Sequence, residues 1–260
     1  VSFVLVHGAG MGADCWHRLA PLLDGEVCAV DLPGRDSRSD VDLRSVTLTD
    51  CEQAIVQDVD AAGLSDIVLV AHSFAGVSVS RVMPALASRL RHVVFLSAVV
   101  PDDGARVIDQ IDPGVRGVAE ACIHDGIYHQ DRAGAEAMLC NDLGVDDTAW
   151  TLDQVVDDCA ALLTEPVDLS GLATPVSRTY VRLTKNHCYP PELQEHSSRI
   201  VGGDTVFLSA GHMAMVSVPG DVAALVNRLQ HDVPAAADDH PVSLGAPHAS
   251  REARVADQAG

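Results

Sequence analysis

The sequence predicts an α/β fold, a mostly parallel sheet with helices on both faces, and three observations predict it. Short apolar, β-branched runs alternate with helical periodicities through most of the chain, the pattern of strand–helix–strand units. His7, Ser73, Asn186 and His212 each stand just after one of those runs. In a parallel sheet that placement gathers them at the carboxyl ends of the strands. Finally, residues 68–76 read Val-Leu-Val-Ala-His-Ser-Phe-Ala-Gly. A buried strand there turns into a helix through one serine, Ser73, with Ala71 and Ala75 two places to either side.

The elements follow in order. Residues 1–6 form an apolar strand, and His7-Gly-Ala-Gly-Met-Gly12 is a glycine-rich loop after it. Residues 16–23 have helical spacing, and 26–31 form a second strand closed by Leu32-Pro33-Gly34. The stretch 35–46 is polar and reads as a loop. A helix over 47–62 has Thr49 or Asp50 near its cap and Ile55, Val56 and Val59 facing inward. The third strand, 66–70, leads through Ser73 into a helix over 74–90. Strands at 92–96, 178–183 and 205–208, a short helix at 190–198 and a closing helix at 219–229 complete the alternation.

That alternation breaks between residues 101 and 175, where helical segments fall at 115–122, 132–139 and 152–163. An insertion of this length between sheet strands reads as a helical cap over the site. The core is then 1–100 with 176–231. A packing subdomain that never touches substrate is the plainer alternative. From 232 to 260 the chain is polar and Ala-rich with no periodic apolar face, and disorder is expected.

Composition narrows the function classes. The 260 residues are 47% hydrophobic, enough to bury one full core. With 17 basic and 37 acidic residues the formal charge is −20, which argues against nucleic acid and anionic membrane surfaces as partners. No apolar run approaches the roughly 20 residues that span a bilayer. The seven cysteines are scattered, with no C-x-x-C pair, as expected for reduced thiols in a cytoplasm. The expected partner is a small-molecule substrate, without cofactor or metal, and a homodimer is left open.

Ser73 is the candidate nucleophile, because a strained strand-to-helix turn exposes the serine Oγ and demands small neighbours. The same turn aims the N–H of Phe74 where an oxyanion would form. His212, in Ser209-Ala-Gly-His-Met213, stands after the last strand, in place to act as base toward Ser73 and then as acid toward the leaving group. The loop after the first strand offers a second oxyanion donor, the N–H of Ala9. A nucleotide phosphate loop fits those glycines poorly, since neither G-x-G-x-x-G spacing nor a following Lys is present. His124, Asp125, His129 and Asp131 suggest a metal only by composition, and a solvated surface explains them as well. Trp150 either covers substrate or anchors the cap. His187 reads as loop surface, and Cys188 as inert without a flanking base.

Taken together these residues resemble the α/β-hydrolase superfamily, and more narrowly the plant methyl esterase and hydroxynitrile lyase family. The matching segments are Phe3-Val-Leu-Val-His-Gly-Ala9 with Trp16, Ala71-His-Ser-Phe-Ala-Gly76, Val94-Phe-Leu-Ser-Ala98 with Pro101-Asp102, residues 184–194, and Gly211-His-Met-Ala-Met215 with Pro219. The resemblance covers roughly residues 2 to 230. It implies a serine hydrolase acting on a small ester, lactone or thioester through an acyl-enzyme.

Three positions depart from that family. The lyases carry Thr after the first-strand His and Lys after the catalytic His, where this chain has Gly8 and Met213, which favours the esterase side. The family's Asp after the fifth strand aligns with Asn186. An amide oxygen could hold the imidazole but supplies no charge, and the Asp-to-Asn change costs about 10⁴ in turnover in a serine protease. Three readings therefore stand: a slow Ser73–His212–Asn186 triad, a carboxylate supplied instead by Asp102 or Asp103, or non-hydrolytic chemistry such as elimination, cyclisation or decarboxylation, or binding alone.

Overall fold

The structure is a computed structural model that describes residues 1–230; the segment expected to be disordered, 232–260, lies outside the described residues. Six strands form the main sheet: β1 (Ser2–Val6), β2 (Glu26–Val30), β3 (Ile67–His72), β4 (Leu90–Leu96), β8 (Ser177–Leu183) and β9 (Asp204–Leu208). Their order is β2-β1-β3-β4-β8-β9, and every adjacent pair is parallel. All carboxyl ends therefore lie along one edge, and the glycine-rich loop, Ser73, Asn186 and His212 follow β1, β3, β8 and β9 there.

Alternation along the central strands divides the core into two layers. Val4 and Val6 of β1 and Ile67, Leu69 and Ala71 of β3 pack with Leu48, Ile55 and Val59 of α1 (Leu48–Ala61) and with Val82, Met83 and Leu86 of α2 (Ala75–Leu86). Phe3, Leu5, Val68 and Val70 face the other way, onto Trp16, Leu19 and Val222, Leu225 and Val226 of the closing helix α10 (Pro219–Leu229). The central strands are buried on both faces, so they read as continuous apolar runs. Helix α1 starts at a capping box: Thr47 Oγ1 accepts from the Asp50 N–H, while the Asp50 carboxylate accepts from the Thr47 N–H.

Local details differ from the sequence reading where short-range chemistry was ambiguous. Residues 16–23 form two tight 3-10 turns, Ala13–Trp16 and Ala20–Leu22, rather than one helix. The helix after Ser73 stops at Leu86, two residues past Pro84. Between β4 and β8 lie helices α3 (Val107–Gln110), α4 (Pro113–Ala121), α5 (Arg132–Leu139), α6 (Val145–Asp153) and α7 (Ala161–Thr164). They are joined by three two-residue antiparallel strands, β5 (Ile123–His124), β6 (Ile127–Tyr128) and β7 (Asp158–Cys159). The expected helix over 152–163 is thus cut in two. Its middle is extended because Asp158 turns inward to meet Arg35, which places 158–159 against β6. Helices α8 (Pro191–Val201) and α9 (Ala214–Ser217) follow β8 and β9.

Candidate active site

β3 ends at His72, and the next residue, Ser73, adopts φ 53°. A non-glycine residue in this left-handed region is strained, and here the neighbours hold it. The Ser73 N–H donates to the Leu96 carbonyl at 3.3 Å, and the Ser73 carbonyl accepts from Val99 at 2.8 Å and Gly76 at 3.1 Å. Ala71 and Ala75 are buried beside it. The glycine-rich loop comes closest: a Cβ on Gly8 would lie 2.7 Å from Ser73 Cβ and 3.2 Å from Ser73 Oγ. Only glycine lets that loop approach the serine.

His212 reaches the serine from the loop after β9, with its Nε2 3.1 Å from Ser73 Oγ. Its Nδ1 is 2.9 Å from Nδ2 of Asn186, which stands after β8. The structure thus brings Ser73, His212 and Asn186 together, with 4%, 2% and 5% of their surfaces exposed. Burial, with the nearby His72, holds the His212 pKa well below the ordinary histidine value. His212 is therefore neutral at ordinary pH.

The expectation that the Asn186 oxygen would hold the imidazole is corrected by its surroundings. Oδ1 already accepts two backbone donors, the N–H of Cys188 at 2.8 Å and of Tyr189 at 3.1 Å. Turning the amide over would set its NH₂ against both. Nδ2 therefore faces the ring, and it also donates to Ser97 Oγ at 2.9 Å. An amide nitrogen only donates, so His212 Nδ1 must be the acceptor and the ring proton sits on Nε2. His212 consequently donates to Ser73 Oγ instead of accepting from it. The four groups around Asn186 would all suit a carboxylate: two backbone N–H groups, the Ser97 hydroxyl and a protonated Nδ1 could each donate to one.

Asp102 and Asp103 do not take over the acid's place. Asp102 Oδ1 is 3.1 Å from His196 Nε2 on helix α8, with 72% of the Asp102 side chain exposed. Asp103 accepts from the Leu169 N–H at 2.8 Å. His7 turns to backbone: Nδ1 donates to the Gly8 carbonyl at 2.8 Å and Nε2 accepts from Leu32 at 3.2 Å. Burial lowers its pKa to about 3. His72 donates from Nε2 to the His212 carbonyl at 3.0 Å, and burial lowers its pKa to about 4.

The glycine-rich loop is held from the insertion. Asp158 Oδ2 accepts the Gly10 N–H at 2.9 Å, and the Val156 N–H donates to the Gly10 carbonyl at 3.0 Å. Asp158 pairs with Arg35, which also donates to the Met11 and Pro33 carbonyls, each at 2.9 Å. Both members of this ion pair are buried. Among the described residues none of these turn bonds uses the N–H of Ala9 or of Phe74.

Other expectations resolve simply. Trp150 lies against His17, with ring centroids 4.1 Å apart and the ring planes tilted by 45°, and so ties the insertion to the core. His187 is exposed, and burial pushes the Cys188 thiol up to about 12. His129 pairs with Asp157 at 2.8 Å, and no group of three or more potential metal ligands occurs among the described residues. Sequence reasoning missed Ser97, although it stands at a strand end as Ser73 does and shares its positive φ, 44°. It also missed Arg35 and Asp158, whose pairing spans 123 residues.

A model of the alpha/beta hydrolase family matches residues 3–225. The chain belongs to the alpha/beta hydrolase family. Among curated relatives of this hydrolase, polyneuridine aldehyde esterase of Rauvolfia serpentina is 28% identical over 253 residues, covering 85% of this chain and 92% of that protein. Norfluorocurarine synthase 1 of Strychnos nux-vomica is 39% identical over 110 residues, covering 38% of this chain and 39% of that protein. Among solved structures, an extracellular alpha/beta-hydrolase from a Paenibacillus species aligns with a TM-score of 0.81 at 21% identity, over 89% of this chain and all of that one.

Proposed function

We propose that this hydrolase cleaves a small, activated ester, lactone or thioester, with Ser73 attacking the carbonyl and the N–H groups of Ala9 and Phe74 receiving the oxyanion. The observation that carries the reading is the 3.1 Å contact between His212 Nε2 and Ser73 Oγ at a strained strand-to-helix turn. The nearness of the Gly8–Ala9 loop to Oγ supports the oxyanion assignment, and the relative named an esterase supports the reaction class. The site needs no cofactor, and free thiols among the described cysteines suit a reducing, cytoplasmic setting.

The Asn186 geometry sets the pace. His212, already protonated on Nε2, stabilises a Ser73 alkoxide by donating to it. It accepts the Ser73 proton only when Nδ1 can carry one, which the Asn186 NH₂ group opposes. The Ser73 proton therefore leaves to solvent hydroxide, and turnover rises with pH and favours substrates with good leaving groups. Cyanohydrin cleavage of the lyase kind suits the site less. A Thr in place of Gly8 would crowd Ser73, and a Lys in place of Met213 would bury a charge where the side chain is fully enclosed.

The donor tautomer of His212 also favours a second reading. A hydroxyl and an Nε2–H fixed side by side can hold a substrate oxygen for proton-transfer chemistry without an acyl-enzyme, and one relative is named a synthase. A fluorophosphonate probe separates the two. Mass spectrometry locating the adduct on Ser73, absent in Ser73→Ala, supports hydrolysis; an unlabelled protein that remains folded supports the second reading.

A further inference from the structure

Cys140 caps the C-terminus of helix α5, and the Leu143 N–H closes a turn onto the Cys140 carbonyl at 3.1 Å. Asn141 and Asp142 occupy the middle of that turn. Asn and Asp are common in turns because their side chains bond to their own backbone, but these two reach across to the core. Asn141 Nδ2 donates to the Lys185 carbonyl at 2.8 Å. Asp142 Oδ2 accepts the Gly211 N–H at 2.5 Å. Lys185 immediately precedes Asn186, and Gly211 immediately precedes His212.

The two loops also meet each other, since the Lys185 N–H donates to the Ala210 carbonyl at 3.0 Å. Ala210, Lys185, Asn141, Asp142 and Gly211 therefore form a closed hydrogen-bonded circuit that joins the loops carrying Asn186 and His212. The fit leaves no slack. A Cβ on Gly211 would lie 2.2 Å from Asp142 Oδ1 and 2.9 Å from Asn141 Oδ1. Asp142 Oδ1 is itself buried without a hydrogen-bond partner, a cost that a surface turn would shed by rotating outward.

We infer that Asn141 and Asp142 are positioning residues, which fix the separation of Asn186 and His212 by holding the peptide ahead of each. This inference rests on the proposed role of His212 at Ser73, although the geometry it concerns can be read without turnover. His212 hangs between two partners at 2.9 and 3.1 Å, so a small shift of either loop lengthens one contact or both. A misplacement of about 1 Å at such a site costs about 10²-fold in rate. The insertion thus helps to assemble the reacting groups, in addition to any contact with substrate.

The test compares Asp142→Ala, Asn141→Ala, Asp142→Asn and Gly211→Ala with the parent chain. Imidazole ¹⁵N signals of His212 are recorded first, then kcat and KM on an aryl ester. Asp142→Ala should move the His212 signals and lower kcat about 10²-fold with KM within about twofold. Asp142→Asn keeps a carbonyl acceptor for the Gly211 N–H and should restore both. Gly211→Ala should reproduce Asp142→Ala, and the pair together should cost little more than either alone. His212 signals unmoved in Asp142→Ala, with only a lower Tm, would overturn the inference. If the parent chain has no esterase activity, the proposed reaction fails, and the imidazole signals still decide the positioning role.

Discussion

Replacing Asn186 by Asp converts a donor facing His212 Nδ1 into an acceptor. In the present chain the amide gives its two protons to His212 and Ser97, at 2.9 Å each, and receives two backbone N–H groups at 2.8 and 3.1 Å. A carboxylate at the same place would receive the same two N–H groups, the Ser97 hydroxyl and a proton on Nδ1. The charge is buried, yet each of its oxygens has two donors, so its desolvation is largely offset. Two effects then favour catalysis. Nε2 becomes the acceptor for the Ser73 proton, and the imidazolium that forms gains a counter-charge. The reverse change in a serine protease costs about 10⁴ in turnover, so Asn186→Asp should raise kcat/KM on a p-nitrophenyl ester by about 10²–10⁴-fold, or roughly 3–5 kcal/mol of barrier.

The pH profile should change with it. Burial keeps His212 neutral in the parent, so the parent rate climbs with hydroxide and shows no acid limb near neutrality. In Asn186→Asp the new charge raises the His212 pKa, and the rate should rise through that pKa to a plateau. A gain below tenfold, in a variant with unchanged Tm and far-UV CD, would refute the argument from tautomer and charge.

Arg35→Met strands the buried Asp158 carboxylate and should lower stability by about 3–5 kcal/mol in urea unfolding, because a buried pair costs most when only one partner is removed. Gly8→Ala places a Cβ 2.7 Å from Ser73 Cβ and should slow fluorophosphonate labelling of Ser73 about 10²-fold, with little change in affinity for a substrate analogue. Acid should destabilise the fold early. His7 and His72 have folded pKa values of about 3 and about 4, and His212 is also depressed, against 6.5 when unfolded. The unfolded chain therefore binds more protons below pH 6.5, and the stability present above that value is lost as pH falls toward 4. For His7 and His72 the loss should be roughly 1 kcal/mol per pH unit each. Urea midpoints flat between pH 6.5 and 4 would contradict it.

What could be read from the chain depended on the range of the interaction. The central strands β1 and β3 were legible because burial on both faces makes them apolar almost throughout, the more exposed edge strands β2 and β9 by their place in the alternation, and Ser73 because its turn demands small residues two places to either side. His212 followed from its place after the last strand, and Asn186 from its alignment with the acid position of the family that the chain resembles. The orientation of Asn186 was not legible. It is decided by two backbone N–H groups that point at Oδ1 only once the 186–189 turn has formed. Asp158 looked like one acid in a helical segment, since its partner Arg35 lies 123 residues away in the chain. Asn141 and Asp142 carried no signal in the sequence for the same reason: their contacts are 44 and 69 residues distant.

The chemistry open to Ser73 turns on which His212 nitrogen carries the proton. Long-range ¹H–¹⁵N correlation on histidine-labelled protein, with His212 assigned by its loss in His212→Ala, reads this directly. The structure requires an unprotonated, imine-type Nδ1 and a protonated Nε2 that persist through neutral pH. A protonated Nδ1 in the parent chain would mean that the Asn186 oxygen faces the ring and that His212 Nε2 accepts from Ser73, the reverse of the arrangement described above.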